Sequence, residues 1–290
     1  MEKVYLIDKE LKMTKKYVFI DVDGTLVTYK NELPDSAIAA IKKARNNGHK
    51  IYLVTGRSKA EMPGEITNIG YDGYSGGNGS YVEVNEEVIF ERTLSFEDCS
   101  KIVNWLDNRG LEYYLECNSG LFASEHFKEE CQEPIQKYTN QKIEGKPKNI
   151  TTNDVFTDMI YGENTVRSDV NKISFILKSY QDYIDAKNYF TEFKVSTWGG
   201  AGEKALFGDV ALSNIDKSYA VKEIISYEGA SLTDTIAIGD ATVDIPMLEI
   251  CEVGISMGNG GKQIKEVADY ITTDVDKNGL YEAFQNFSLI

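Results

Sequence analysis

The sequence predicts an α/β protein in which a doubly wound, mostly parallel sheet carries an inserted α+β domain. Three observations carry that expectation. Residues 17–20, Tyr-Val-Phe-Ile, are apolar at every position, the pattern of a strand covered on both faces, and they end abruptly in Asp21 and Asp23 followed by a Gly-Thr turn. A strand, helix, strand rhythm follows this run and returns near the carboxyl end, as expected of two halves of one sheet. Between the halves the pattern changes to the alternation of half-buried strands.

Taken in order, Pro34, Asp35 and Ser36 open a helix whose Ile38, Ile41 and Ala44 share one face and which Gly48 closes. Ile51 to Val54 then form a second buried strand, ending in Thr55-Gly56-Arg57. In the insert, strands are expected at 112–117 and 172–177 and amphipathic helices at 96–108 and 181–190, with Lys146 to Asn149 as a loop. The second half of the core starts with a helix at 218–227, closed by Gly229, and a strand at 235–238 that ends in Gly239-Asp240. A short helix at 245–251, a strand at 253–257, a helix at 262–267 and a strand at 270–272 complete it. The domains are thus residues 1–84, the first part of the core; 85–210, the insert; and 211–290, the second part of the core. The residues up to Met13 precede the first strand, as an arm or an alternative start.

With 290 residues, 42% hydrophobic and 27% charged, the chain can bury a substantial core. Its 31 Lys+Arg against 46 Asp+Glu give a net charge of −15, which argues against a nucleic-acid partner, because binding a polyphosphate backbone depends on basic groups. No apolar run approaches a membrane span. The four cysteines, Cys99, Cys117, Cys131 and Cys251, lack Cys-x-x-Cys spacing and nothing at the start resembles a leader, so a reduced, cytoplasmic protein is expected. No G-x-G-x-x-G follows the first strand and there is no P-loop, which argues against a dinucleotide or Walker-type site.

The chemistry is expected at the strand ends. Paired acids at the carboxyl edge of a buried strand suit magnesium, a hard cation that prefers oxygen, and a carboxylate there can attack an electrophile. Lys217 stands at a helix start, where the helix dipole disfavours a cation by a few tenths of a kcal/mol to about 1 kcal/mol, so its ammonium calls for an anion. Asp240 and Asp244 lie in an acidic loop between a strand and a short helix.

Asp21-Val22-Asp23-Gly24-Thr25 resembles the first signature of the haloacid dehalogenase superfamily of phosphatases, and three later segments resemble the rest: Leu53 to Arg57, Lys217 in its helix, and Gly239-Asp240 through Asp244. The long insert, with Gly76-Gly77-Asn78-Gly79 and Met257-Gly258-Asn259-Gly260, resembles the Cof-type subfamily with its C2 cap on a Rossmann-like core. The resemblance implies Asp21 as nucleophile, forming an aspartyl phosphate, and Asp23 as acid and then base. It implies Lys217 as a catalytic and phosphate-neutralising cation, and Thr55, Gly56 and Asn259 at the phosphate. Asp21, the Asp23 carbonyl and Asp240 would hold Mg2+, with Asp244 behind them. Asn78 would also face the cleft. The implied substrate is a small phosphorylated metabolite, a sugar phosphate or a related species, in a Mg2+-dependent hydrolysis. A phosphotransferase or mutase of the phosphomannomutase-like kind, or a non-catalytic sugar-phosphate-binding regulator, is the alternative. One departure is Val243, where the subfamily usually has Asn; it implies altered rate or substrate preference. Tyr113, Tyr114, Phe122, His126 and Trp198 in the cap could line a pocket or serve as core, and the oligomeric state is left open.

Overall fold

The structure is a computed structural model that describes residues 14–142, 150–200 and 202–290. The expected amino-terminal arm and the loop at Lys146 to Asn149 lie outside the described residues. The core begins with β1 (Tyr17–Ile20), α1 (Asp35–Asn46), β2 (Lys50–Val54), α2 (Gly64–Thr67), β3 (Gly73–Gly76), β4 (Tyr81–Val84) and β5 (Glu87–Glu91). The cap follows as α3 (Phe96–Asn108), β6 (Tyr113–Cys117), β7 (Leu121–Ala123), α4 (Phe127–Glu130), α5 (Gln132–Lys142), α6 (Thr152–Val155), β8 (Met159–Tyr161), β9 (Val170–Ile176), α7 (Tyr180–Tyr189), β10 (Phe193–Trp198) and β11 (Phe207–Leu212). The chain returns to the core with α8 (Lys217–Glu228), β12 (Thr235–Gly239), α9 (Ile245–Ile250), β13 (Val253–Ser256), α10 (Lys262–Val267), β14 (Tyr270–Ile271) and α11 (Gly279–Asn286).

The core sheet runs β14-β13-β12-β1-β2-β3-β4-β5, parallel except for the β3-β4-β5 meander. β1 is central because both of its faces are apolar. Val18 and Ile20 pack with Ala40, Ile41 and Ala44 of α1 and with Phe284 of α11, while Phe19 faces Tyr52 in a stacked pair at 5.3 Å and joins Val221 and Ile224 of α8. Each fully buried side chain of this size contributes about 1.5–3 kcal/mol. Ile20 is in register with Ile238 on one side and Leu53 on the other, so the carboxyl ends of β12, β1 and β2 open at one level. The chain moves outward from β1 in both directions, which leaves a crevice above it.

The cap sheet runs β10-β11-β9-β6-β7-β8 and is antiparallel apart from the β7 and β8 pair. Leu115, Ile173, Phe175 and Val210 fill one face together with Ile102 and Leu106 of α3 and Ala186 of α7. Tyr113, Tyr114 and Phe122 are buried in cap clusters and are core, while the half-buried Trp198 stacks on Phe207 at 3.9 Å. His126 is exposed.

Two regions depart from expectation. β5 still belongs to the core sheet and β11 ends the cap sheet at Leu212, so sheet membership runs a few residues past both expected boundaries. The β3-β4-β5 meander was not anticipated, because Gly73-Tyr74-Ser75-Gly76 has the composition of a turn. A Cβ on Gly73 would lie 2.6 Å from the Glu83 carbonyl, so close strand packing, which no local pattern reveals, is what selects glycine there.

Candidate active site

The crevice at the ends of β12, β1 and β2 gathers most of the expected residues. Asp21 follows β1 and is anchored by its main-chain N–H, which donates to the Ile238 carbonyl at 3.0 Å. Lys217 is the first residue of α8, whose amino end is capped by the Asp216 carboxylate accepting from Ser218 N–H at 2.9 Å. This cap satisfies the helix end independently and frees Lys217 to point inward. Its ammonium donates to Asp21 Oδ1 and to Asp244 Oδ1, each at 2.5 Å, and all three residues are buried. The other Asp244 oxygen accepts the main-chain N–H groups of Asp240 and Ala241 at 3.0 and 2.9 Å, which folds the loop after β12 around it.

Asp240 is also buried. Its Oδ1 accepts the Thr25 hydroxyl at 3.3 Å and its Oδ2 accepts the Tyr29 hydroxyl. Tyr29 was not anticipated: it lies in an irregular loop, and only the turn that closes with Asn31 N–H donating to the Thr28 carbonyl at 2.9 Å brings it back over the crevice. Gly24 has φ +88° and a Cβ there would lie 2.4 Å from Asp240 Oδ2, so the turn after Asp23 requires glycine on both counts.

Asp23 is placed differently from the other acids. Its side chain is 47% exposed and is held bidentately by Arg57, with Nε at 2.9 Å and the second guanidinium nitrogen at 2.6 Å. Such a fork fixes the orientation of the carboxylate. Thr55 is buried at the end of β2, and its hydroxyl oxygen accepts Arg57 N–H at 3.2 Å, which leaves the hydroxyl proton available to a ligand. Gly56 lies beside Asn78, whose buried Oδ1 has no hydrogen-bond partner among the described residues. Asn259 bridges main-chain groups: its amide donates to the Gly24 carbonyl at 2.8 Å and its Oδ1 accepts Val275 N–H at 2.8 Å. It braces the Asp23-Gly24 turn. Val243 is exposed at the rim.

Oxygens of Asp21, Asp240 and Asp244 lie within 4.8 Å of one another. Three carboxylates around one ammonium leave excess negative charge in a buried space, the condition that favours a divalent hard cation. Asp244 has one oxygen on the Lys217 ammonium and the other on two main-chain N–H groups, whereas the Asp240 oxygens accept from the neutral hydroxyls of Thr25 and Tyr29. The proton affinities agree with this charge count. Burial, reinforced by Asp244, pushes the Asp21 carboxyl well above the usual carboxylate range against the pull of Lys217. Burial likewise pushes Asp240 up to about 6. Burial lowers the Lys217 value, but Asp21 and Asp244 more than offset that, so the ammonium stays charged.

A family model for haloacid dehalogenase-like hydrolases matches residues 18–284. The chain belongs to that family. Among its relatives, phosphoglycolate phosphatase of Methanosarcina acetivorans is 25% identical over 276 residues, covering 94% of this chain and 96% of the relative. Among solved structures, the phosphatase BT1666 of Bacteroides thetaiotaomicron is 25% identical with a TM-score of 0.75, covering 99% of this chain and 100% of that one. The subclass IIB sugar phosphatase BT4131 is 24% identical with a TM-score of 0.74, covering 95% and 100%, and at that identity it supports the fold alone. The family reading made from the four segments is borne out, together with an α/β core carrying an inserted cap. Among the described residues, no helix is long and apolar enough to cross a membrane, and all four cysteines are free and buried.

Proposed function

We propose that this phosphatase hydrolyses small phosphomonoesters, sugar phosphates and related metabolites, in a Mg2+-dependent reaction through an aspartyl phosphate on Asp21. The observation that carries the reading is the buried Lys217 ammonium shared by Asp21 and Asp244 beside Asp240. An ammonium so placed offsets the repulsion between an attacking carboxylate and an anionic phosphoryl group. Asp21 forms the new oxygen–phosphorus bond as the bond from phosphorus to the leaving oxygen breaks. Asp23 supplies a proton to that oxygen and later takes one from the water that releases phosphate. Its Arg57 fork suits the second step, and the first requires that contact to loosen as substrate enters. Thr55 donates its hydroxyl proton to a phosphate oxygen, Gly56 adds its main-chain N–H, and Asn259 acts by holding the turn that carries Asp23 and Gly24. The carboxylates of Asp21 and Asp240, with the Asp23 carbonyl, would hold Mg2+, which would neutralise phosphate charge when bound. Asp244 orients Lys217 and the Asp240 loop. A cytoplasmic location belongs to the same proposal, in keeping with four unpaired cysteines.

The test is a phosphate-release screen of phosphorylated metabolites with Mg2+, run beside Asp21→Asn and excess chelator. Release from wild type alone, silenced by the substitution and by chelation, is the expected result. Wild-type turnover in Asp21→Asn removes Asp21 from its role. Phosphate recovered on a second sugar rather than in solution would favour the phosphotransferase alternative.

A further inference from the structure

The cap sheet has one face covered by α3 and α7. Cross-strand pairs place Glu116, Lys172, Ser174, Asp209 and Ser196 together on the other face: Glu116 opposite Lys172, Ser174 opposite Asp209, and Asp209 opposite Ser196. Part of this face is apolar, where Tyr114 and Phe207 cluster with Phe127 and Phe156 from the segment containing α4 to α6. The polar part is nearer the core: β6 packs against the single turn Lys59–Glu61 that follows β2. Arg57 ties that turn to the crevice, because the guanidinium that holds Asp23 also donates to the Glu61 carbonyl at 3.3 Å.

Lys172 Nζ pairs with Glu116 Oε2 at 2.9 Å, its one ion-pair partner within reach among the described residues, so further N–H donors remain. Glu116 Oε1 takes the Ser174 hydroxyl at 2.8 Å, and Asp209, only 8% exposed, takes the Ser196 hydroxyl on Oδ1 at 2.6 Å. Lys172 and Asp209 are diagonal neighbours on adjacent strands, roughly 7–8 Å apart at the backbone. Glu61 adds a third carboxylate: burial, with repulsion from Glu116, pushes it up to about 7. Burial lowers the Lys172 value, but Glu116, Asp209 and Glu61 more than offset this, which keeps the ammonium charged.

We propose that Lys172, Glu116 and Asp209 select the leaving group of the phosphomonoester, admitting a neutral polyhydroxylated group and rejecting a carboxylate. The inference rests on the phosphatase reading of the crevice below. A hydroxyl can accept from Lys172 and donate to Asp209, so a sugar satisfies both ends of the patch. A carboxylate can only accept, and it meets Glu116 and Asp209 against a single ammonium already paired. Like-charge contacts of this kind are a strong means of rejection.

The experiment compares kcat/KM for glucose 6-phosphate and for phosphoglycolate in wild type, Asp209→Asn and the double variant Glu116→Gln, Asp209→Asn. Their ratio does not depend on the fraction of folded enzyme, so partial misfolding does not imitate the effect. Wild type should favour the sugar phosphate by about 100-fold or more, and the double variant should narrow the ratio at least about tenfold, chiefly through KM, which corresponds to about 1.4 kcal/mol. A wild-type preference for phosphoglycolate, or a ratio unmoved in both variants, overturns the proposal while the phosphatase reading stands. Wild-type release from p-nitrophenyl phosphate tests that reading separately, and release from none of the three substrates overturns both.

Discussion

Replacing Lys217 with Met keeps most of the length of the side chain and removes its charge, and the consequence follows from three contacts. In the native protein one buried ammonium stands 2.5 Å from Asp21 and from Asp244, with Asp240 close by. Without it, two buried carboxylates face each other with no countercharge, and breaking a buried pair in this way costs about 3–5 kcal/mol. That is a large share of the roughly 5–15 kcal/mol by which a domain is stable. The loss should be largest at pH 8 in chelator and smaller near pH 5, because the stranded carboxyls can escape the repulsion only by taking up protons. Combining the change with Asp244→Asn removes one of the stranded charges, so the pair should couple by about 1–3 kcal/mol rather than add. Urea denaturation of the four proteins of this cycle at both pH values measures the stability terms, and phosphate release measures the chemistry. Turnover should fall by about 100-fold or more, the scale for deleting one preorganised charge-stabilising donor. A Lys217→Met protein that keeps wild-type turnover and loses under about 1 kcal/mol would refute the view that this ammonium neutralises the site.

Two further substitutions probe the metal side of the crevice. Asp240, held up to about 6 in the folded chain against an ordinary 3.8, binds its proton more tightly folded than unfolded, so its contribution to stability falls as pH rises through that window. Asp240→Asn should therefore stabilise the metal-free protein at pH 8 and barely change it at pH 4, while weakening Mg2+ binding; calorimetric titration and urea midpoints check both halves. Gly24→Ala forces a Cβ into the space of Asp240 Oδ2 at a φ of +88°, and Mg2+ affinity should fall about 10–100-fold, the range for disturbing the support of a ligand. Unchanged binding in that variant would mean that Asp240 is free to move.

Much of the core was legible because its signals are local. The apolar run at β1, the Pro34 start of α1, the left-handed Gly229 that ends α8 and the apolar strand β12 each follow from the few residues around them. The α3 helix was expected at its observed bounds, since Ser95 accepts Asp98 N–H at its start and Cys99, Ile102, Val103 and Leu106 make one buried stripe. The site was legible at the level of motifs, because acids at strand ends and a lysine at a helix start are unusual without a ligand to justify them.

The amino-acid order by itself determined that Asp21, Lys217, Asp240 and Asp244 stand at the ends of elements that a parallel sheet aligns, since each position is set by periodicity and capping within a few residues. Tertiary structure alone decided what each side chain touches. It turned the Asp23 carboxylate to Arg57, brought Tyr29 onto Asp240, used Asn259 as a brace and carried the core sheet on through β5. The physical reason is separation along the chain. The contact between Lys217 and Asp21 spans 196 positions and that between Tyr29 and Asp240 spans 211, so each depends on the packing of whole elements, which no local window contains.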